Sequence, residues 1–569
     1  MRSVERPEES EMTAMSIDPP SANAAEYLLD RQVAAGRGER IAVRSMGQTL
    51  GRTLSQTLSY QELLDLSAAF AAGLAAVDVR AEERVLLVTS DGVEMLAALL
   101  GAIRAGAVAV PCSTMLLGSE LGKVLADSGA RLVVVTPEFG SALSQALTVA
   151  PSVRHVVAVG NASVEVPAGV QHHDWSTFAV PGTTAGSAAP VHPDAPALWL
   201  YTSGTTGTPK AAMHRHANIR LVCETYGERV LGIRPDDVCL SVAKLFFAYG
   251  LGNSALFPLS AGASAILEPR RPTPQVVAER LRQDQPTLFF GGPTFFAALL
   301  ASEIPDDSFR SVRLCASAGE SLPAPLYRRF VERFGVDILD GIGSTEMLHI
   351  FLSNRPGQVR PGTTGQVVPG YQLDLRDESG RPVPVGTPGT LFVRGGSAAT
   401  GYWCRTAATR AVFQGEWVCT GDTYQASEDG FYTCLGRTND LLKAGGIWVS
   451  PAEVESRLLE HPSVAEAVVV GVSDADGLDK PVACVVPAAG HRIDPAELVE
   501  WCRDGLAAFK RPRAVLIIAE VPKTATGKVQ RFRVREFAQA AAGPALTGAN
   551  TPPGAGAAPA ADRTNSPRA

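Results

Sequence analysis

Apolar, β-branched runs recur along the chain, each next to a stretch whose apolar positions follow a helical spacing. ELLDLSAAFAAGLAAV (62–77) precedes RVLLVTS (84–90), EMLAALLGAIRAG (94–106) precedes AVAVPCS (107–113), and RLVVVTP (131–137) follows. This alternation predicts an α/β fold of parallel sheets covered by helices. After residue 440 the rhythm restarts on a smaller scale. A helix over PAEVESRLLE (451–460) leads to strands over AEAVVVGV (465–472) and PVACVVP (481–487), a helix over DPAELVEWCRDGLAAF (494–509) and a strand over AVLIIAEVP (514–522). The pattern predicts a large domain over 24–439 and a small α+β domain over 440–540, joined within GRTNDLLKAGG (436–446). Residues 1–23 and the Ala/Gly/Pro-rich tail 541–569 carry too few large apolar groups to offset the entropy of ordering, and are expected to be disordered.

Composition narrows the chemistry. The 569 residues are 46% hydrophobic, enough for sizeable cores, and 51 basic against 58 acidic residues leave a net charge of −7. Such a balance gives no general basic field for nucleic acid or anionic lipid, so small-molecule partners are expected. The nine cysteines are scattered, with no CxxC pair or Cys/His cluster, which fits a reducing compartment. The first twenty residues are charged, and no apolar run reaches the ~18 residues of a membrane span. A cytoplasmic location is the expectation.

YTSGTTGTPK (201–210) concentrates five Ser and Thr side chains, two glycines and a lysine between a strand-like run and a segment read as helical. Backbone N–H groups and hydroxyls in such a loop are the donors a polyphosphate needs, and Lys210 adds positive charge. The spacing is not that of a P-loop, because Pro209 precedes Lys210 and no Ser or Thr follows it. An ordinary surface loop is the alternative. Four further segments change the balance: DGIGSTE (340–346), WVCTGD (417–422), GRTNDLLKAGGIWVSPAEVE (436–455) and PKTATGKVQR (522–531). Together with the loop, and in the same order, these resemble the signatures of the adenylate-forming superfamily of acyl-CoA synthetases, adenylation domains and luciferases. The resemblance spans about residues 25–540.

What the resemblance implies is a two-step reaction, in which a carboxylate attacks the α-phosphate of MgATP to give an acyl-adenylate and a thiol then displaces AMP. It assigns the phosphates of ATP to Thr202, Ser203, Gly204, Thr205, Thr206, Gly207 and Lys210. Lys528 would bridge the carboxylate and the α-phosphate, Thr345 would touch the α-phosphate, and Glu346 would hold Mg²⁺. Asp422 and Arg437 would take the ribose, a salt-bridge role being the alternative for either, while Ala318, Gly319, Glu320, Asp340 and Gly341 would line the adenine slot. Ile342 stands where many relatives place an aromatic residue. Asp440 matches the hinge about which the small domain turns, and Gly445 and Gly446 would let the phosphopantetheine arm of coenzyme A pass close to backbone.

The segments KLFFAYGLGN (244–253), SAGESLP and GIGSTEMLHIFLSN look most like those of benzoate-CoA ligases. Phe246, Phe247 and Tyr249 are read as aromatic walls, Ala248, Gly250 and Gly343 as leaving room for a flat ring, and Ile342 as a further substrate contact. Burial in the core is the other common fate of such aromatics. His349 would face the ring edge, bond a ring substituent, or serve the structure alone. The acceptor is expected to be coenzyme A; Lys510, Arg511 and Arg513 are either candidates for its phosphates or simply a solvated basic cluster. A carrier-protein thiol is the alternative acceptor, and a catalytically silent binding protein on the same fold is a third reading.

Overall fold

The computed structural model describes residues 22–49, 52–116, 118–180, 182, 187–203, 209–437, 442–444, 447–473, 479–506, 510–523 and 529–546. The chain divides into two compact units, Met1–Asn439 with Ala525–Lys528, and Asp440–Thr524 with Val529–Ala569.

Two mixed sheets organise the large unit. The seven-stranded one runs in the order Gln171–Asp174, His155–Ala158, Leu132–Val135, Arg84–Val88, Val108–Pro111, Pro196–Ser203, Pro209–Arg215. All neighbours are parallel except the last pair. The runs VAVP and LVVV are buried at every position, the mark of a strand covered on both faces. In the nine-stranded sheet, six parallel strands from Ile338–Gly343 to Ile41–Thr49 are flanked by antiparallel edges.

Helix Tyr60–Ala76 starts at a capping box, in which Ser59 Oγ accepts from Glu62 N at 3.2 Å and the Glu62 carboxylate accepts from Ser59 N at 2.7 Å. Its partner Val93–Arg104 is buried at every position but Glu94, as befits a helix wrapped on all sides. Glycine at 101 sets their separation: a Cβ there would sit 2.6 Å from the Ser67 carbonyl oxygen.

A third sheet departs from the parallel pattern read in the sequence. Tyr371–Arg376, Gly389–Gly395, Trp417–Ala426, Phe413–Gln414 and Tyr432–Arg437 pair antiparallel throughout. Its hairpins turn at DESG (377–380) and SEDG (427–430), whose Gly380 and Gly430 take positive φ, so the signal was in the turns and not in the strand spacing.

The small unit holds the sheet Val464–Ser473, Asp479–Pro487, Ala514–Ile517, a ribbon Leu442–Ala444/Ile447–Val449, and helices Pro451–Leu459, Pro495–Arg503 and Arg531–Leu546. Two expected boundaries move. The last helix, which the spacing did not predict, continues past residue 540 because its AQAAA stretch favours helix. At the other end Asn23, assigned to a disordered extension, is buried, its amide donating to the carbonyls of Ile103, Arg104 and Ala189. Among the described residues no helix is long and apolar enough to cross a membrane.

Candidate active site

The hydroxyl-rich loop joins two antiparallel strands, with Thr202 opposite Lys210 and Ser203 opposite Pro209. The sequence suggested a helical segment after it. Pro209–Arg215 is instead a strand, and the helix begins only at His216, because pairing with the preceding strand overrides the helix propensity of Ala and Met. Lys210 is half-buried, its Nζ 5.6 Å from the centre of the Tyr402 ring. Gly204, Thr205, Thr206 and Gly207, with the side chain of Ser203, lie outside the described residues.

Thr345 and Glu346 open a short 3₁₀ turn, Thr345–Met347, capped by Ser344 Oγ accepting from Met347 N at 3.2 Å. The turn is held from two sides. His214 Nε2 lies 2.8 Å from the Thr345 carbonyl, while Ala399 N donates to the Glu346 carbonyl and Ser397 Oγ to that of Met347, both at 2.8 Å. The Glu346 carboxylate accepts from the Tyr402 hydroxyl at 2.5 Å. Burial first, and Glu346 second, push the Tyr402 phenol up, so it stays a donor. A half-buried single carboxylate beside a hydroxyl fits a hard cation that completes its shell with phosphate and water. No cluster of three or more His, Cys, Asp or Glu among the described residues offers an all-protein metal site.

Asp340 sits in the strand Ile338–Gly343, whose Gly341, Ile342 and Gly343 pair with Ser353, Leu352 and Ile350. Its Oδ1 is buried with no hydrogen-bond partner, and desolvation pushes the carboxyl well above the usual range. Ala318 is buried and Gly319 exposed with φ +97°, while Glu320 Oε2 lies 3.4 Å from Thr294 Oγ1. Asp422 and Arg437 are direct partners across Trp417–Ala426 and Tyr432–Arg437, and pair at 3.1 Å. Buried Tyr424 senses both Asp422 and Asp340, and Cys434 is within reach of Ser321, so the ribose and adenine candidates border one region of the large unit.

Residues 244–253 are anchored at their start. Both Asp91 carboxylate oxygens lie 3.2 Å from Leu245 N, and Lys244 Nζ donates to the carbonyls of Glu268 and Arg270. Phe246 is buried against Phe247, with ring centres 4.4 Å apart, and Phe247, Ala248 and Tyr249 are half-buried. The Tyr249 hydroxyl donates to the Ala316 carbonyl at 2.9 Å. His349 packs among Tyr226, Tyr249 and Phe257, at 5.3, 5.6 and 4.5 Å between ring centres. Its Nε2 faces the Tyr249 carbonyl at 3.4 Å and must carry the proton there, leaving Nδ1 bare and unpartnered. Desolvation lowers its pKa to about 3, so the ring is neutral. One expectation changes. A Cβ on Gly250 would lie 2.1 Å from the Lys244 carbonyl oxygen, and one on Gly343 2.6 Å from the His349 carbonyl. Both glycines admit close backbone approach; neither opens space for a ring.

Lys528, Asp440, Gly445 and Gly446 lie outside the described residues. In the small unit Lys510 pairs with the Glu453 carboxylate at 2.6 Å, and Arg511 Nε donates to the Leu506 carbonyl, while Arg513 is exposed. Asp91, His214, Tyr226 and Tyr402 carry contacts the sequence reading missed. For His214 a signal existed: it is a polar residue at the inward parity of a strand, in register with Ala212.

Residues 29–403 match the AMP-binding enzyme family, and residues 453–528 its C-terminal domain. The chain is 43% identical over 523 residues to a benzoate–CoA ligase of Thauera aromatica, covering 91% of this chain and 96% of that protein. It is 42% identical over 525 residues to a 4-hydroxybenzoate–CoA/benzoate–CoA ligase of Rhodopseudomonas palustris, covering 90% and 94%. The crystal structure of the anthranilate CoA ligase AuaEII in complex with anthranoyl-AMP superposes with a TM-score of 0.84 at 37% identity, over 93% of this chain and 99% of that one. The chain belongs to the AMP-binding enzyme family.

Proposed function

We propose that this protein is an AMP-forming acid–thiol ligase that converts benzoate, or a small substituted benzoate, to its coenzyme A thioester. The observation that carries this reading is the adjacency of the Tyr226–Tyr249–Phe257–His349 aromatic cluster to the Thr345–Glu346 turn, within one unit of a chain so similar to benzoate–CoA ligases.

In the first step a carboxylate oxygen attacks the α-phosphorus, and the bond to the departing pyrophosphate breaks. Charge builds on phosphate oxygens, so positioning and positive electrostatics dominate the catalysis. Lys210 and the loop before it hold the outer phosphates, Thr345 contacts the α-phosphate, and Lys528 pairs the two reacting anions. Glu346 would hold Mg²⁺, which supplies positive charge to the phosphates. Asp422 accepts from the ribose hydroxyls with Arg437 beside it, and the unpartnered Asp340 Oδ1 suits the exocyclic amine of adenine. Thiol attack on the acyl carbon then releases AMP. The small domain turns about Asp440 between the steps, bringing Gly445 and Gly446 to the pantetheine arm.

Pyrophosphate exchange over benzoate, hydroxy- and aminobenzoates, cinnamate and octanoate, followed by thioester formation with coenzyme A, tests this reading. Benzoate or a small derivative should give the highest kcat/KM, and cinnamate or octanoate as best substrate would overturn it.

A further inference from the structure

We propose that His214 and Tyr402 are positioning residues for the adenylation step, a two-sided clamp that fixes Thr345 by its backbone and Glu346 by its carboxylate. The inference rests on the acyl-adenylate reading above.

His214 is fully buried, with both ring nitrogens engaged. Arg215 Nε donates to Asn218 Oδ1 at 3.1 Å, which fixes the Asn218 amide so that its Nδ2 faces His214 Nδ1 at 3.0 Å. That amide nitrogen only donates, so His214 Nδ1 accepts and Nε2 bears the proton that goes to the Thr345 carbonyl. The same Asn218 nitrogen reaches the carbonyls of Ser397 and Ala398, tying the histidine to the segment that leads to Tyr402. That segment is stitched to the strand carrying Lys210: Met213 N donates to the Gly401 carbonyl at 3.0 Å, Thr400 N to Met213 at 2.9 Å, and Trp403 N to Ala211 at 3.0 Å. From there the Tyr402 hydroxyl meets Glu346. Groups that must face one triphosphate are thus referenced to a single frame. A carboxylate whose rotamer is held by a phenol presents one orientation to a cation.

The test uses the full-length enzyme and four measurements: benzoate-dependent pyrophosphate exchange, conversion of supplied benzoyl-AMP and coenzyme A to thioester, MgATP affinity by titration calorimetry, and Tm. His214→Leu keeps the bulk and removes the donor. His214→Gln places an amide nitrogen where Nε2 was, and Tyr402→Phe deletes one oxygen. His214→Leu and Tyr402→Phe should each slow exchange by about 10–100-fold, the usual span for a supporting contact. Tyr402→Phe, whose partner Glu346 serves only the cation of the first step, should leave thioester formation from benzoyl-AMP within about threefold. Gln at 214 should recover most of the loss, and Phe at 402 should weaken MgATP binding by about tenfold with Tm nearly unchanged. Equal losses of both half-reactions in Tyr402→Phe, no rescue by His214→Gln, or unaltered MgATP affinity in Tyr402→Phe would overturn the clamp while wild-type exchange leaves the functional reading standing. No benzoate-dependent exchange in the wild type would overturn both.

Discussion

The carboxylate of Asp422 lies 3.1 Å from Nε of Arg437, the residue directly opposite it on the neighbouring strand. The pair is asymmetric, since the Asp422 side chain is 13% exposed and that of Arg437 61%. Arg437 also donates to the Thr420 carbonyl at 3.0 Å, so its guanidinium is braced from below while its outer face meets solvent. An ion pair whose arginine is open to solvent is screened and contributes modestly to stability, which makes orienting the buried Asp422 carboxylate for a ligand the better account of this one. We expect Asp422→Asn to raise the KM for ATP about tenfold, because an amide replaces a charged acceptor for two hydroxyls. Arg437→Gln should cost less. ATP titrations of the exchange reaction decide the order, and a larger effect at Arg437 would reverse these roles.

Local chemistry explains what was readable in the sequence. The helical spacing of 62–77 and the apolar runs VAVP and LVVV are decided by neighbours within a few residues, and the chain obeys them. The contacts that shape the site are not local. Tyr402 meets Glu346 from 56 residues away and His214 meets Thr345 from 131, so no spacing rule announces either. Gly250 illustrates a subtler limit. Its identity is legible, but whether its bare face meets a ligand or a carbonyl is settled only by the fold of 243–250.

Asp91 should make stability depend on pH. Its carboxyl, raised to about 6 from an ordinary 3.8 by burial and opposed by Lys244, with Glu268 also in range, binds its proton more tightly in the folded state. Between about pH 4 and 6 the folded protein holds more protons at this site than the unfolded chain, so stability falls as pH rises, by on the order of 3 kcal/mol, and is flat above. Asp91→Asn, neutral throughout, should lack this component. Its Tm relative to wild type should climb between pH 4.5 and 7, and parallel curves would refute the assignment.

Ala248 offers a separate test of the acyl segment. It is half-buried at the start of the turn Ala248–Leu251, between Phe247 and the anchored Tyr249. Ala248→Leu adds three carbons to a segment anchored at Leu245 and Tyr249, and overpacking of this kind costs about 1–3 kcal/mol. The KM for benzoate should rise about tenfold or more, with that for ATP unchanged within about twofold, since the nucleotide contacts come from other segments. Equal changes in both would place Ala248 in the general core.

His349 should control which ring substituents are accepted. Desolvation holds its pKa near 3, so no inflection at pH 6–7 in benzoate kcat/KM should disappear on replacing it. Its function is therefore spatial and hydrogen-bonding. The imidazole fills the space between Tyr226, Tyr249 and Phe257, and a Cβ on Gly252 would come within 2.3 Å of its Cδ2, so the ring has nowhere to swing. Removing it in His349→Ala leaves a void bounded by rigid aromatics, which loses contacts with unsubstituted benzoate and admits a methyl group. Relative to wild type, the ratio of kcat/KM for methylbenzoates over benzoate should rise about tenfold for at least one ring position. His349→Asn, which keeps a polar group but less volume, should fall between the two. Should both variants lower all acids in parallel and shift Tm by the same amount, His349 would be a structural residue and the selectivity of the slot would rest on Phe247 and Ala248.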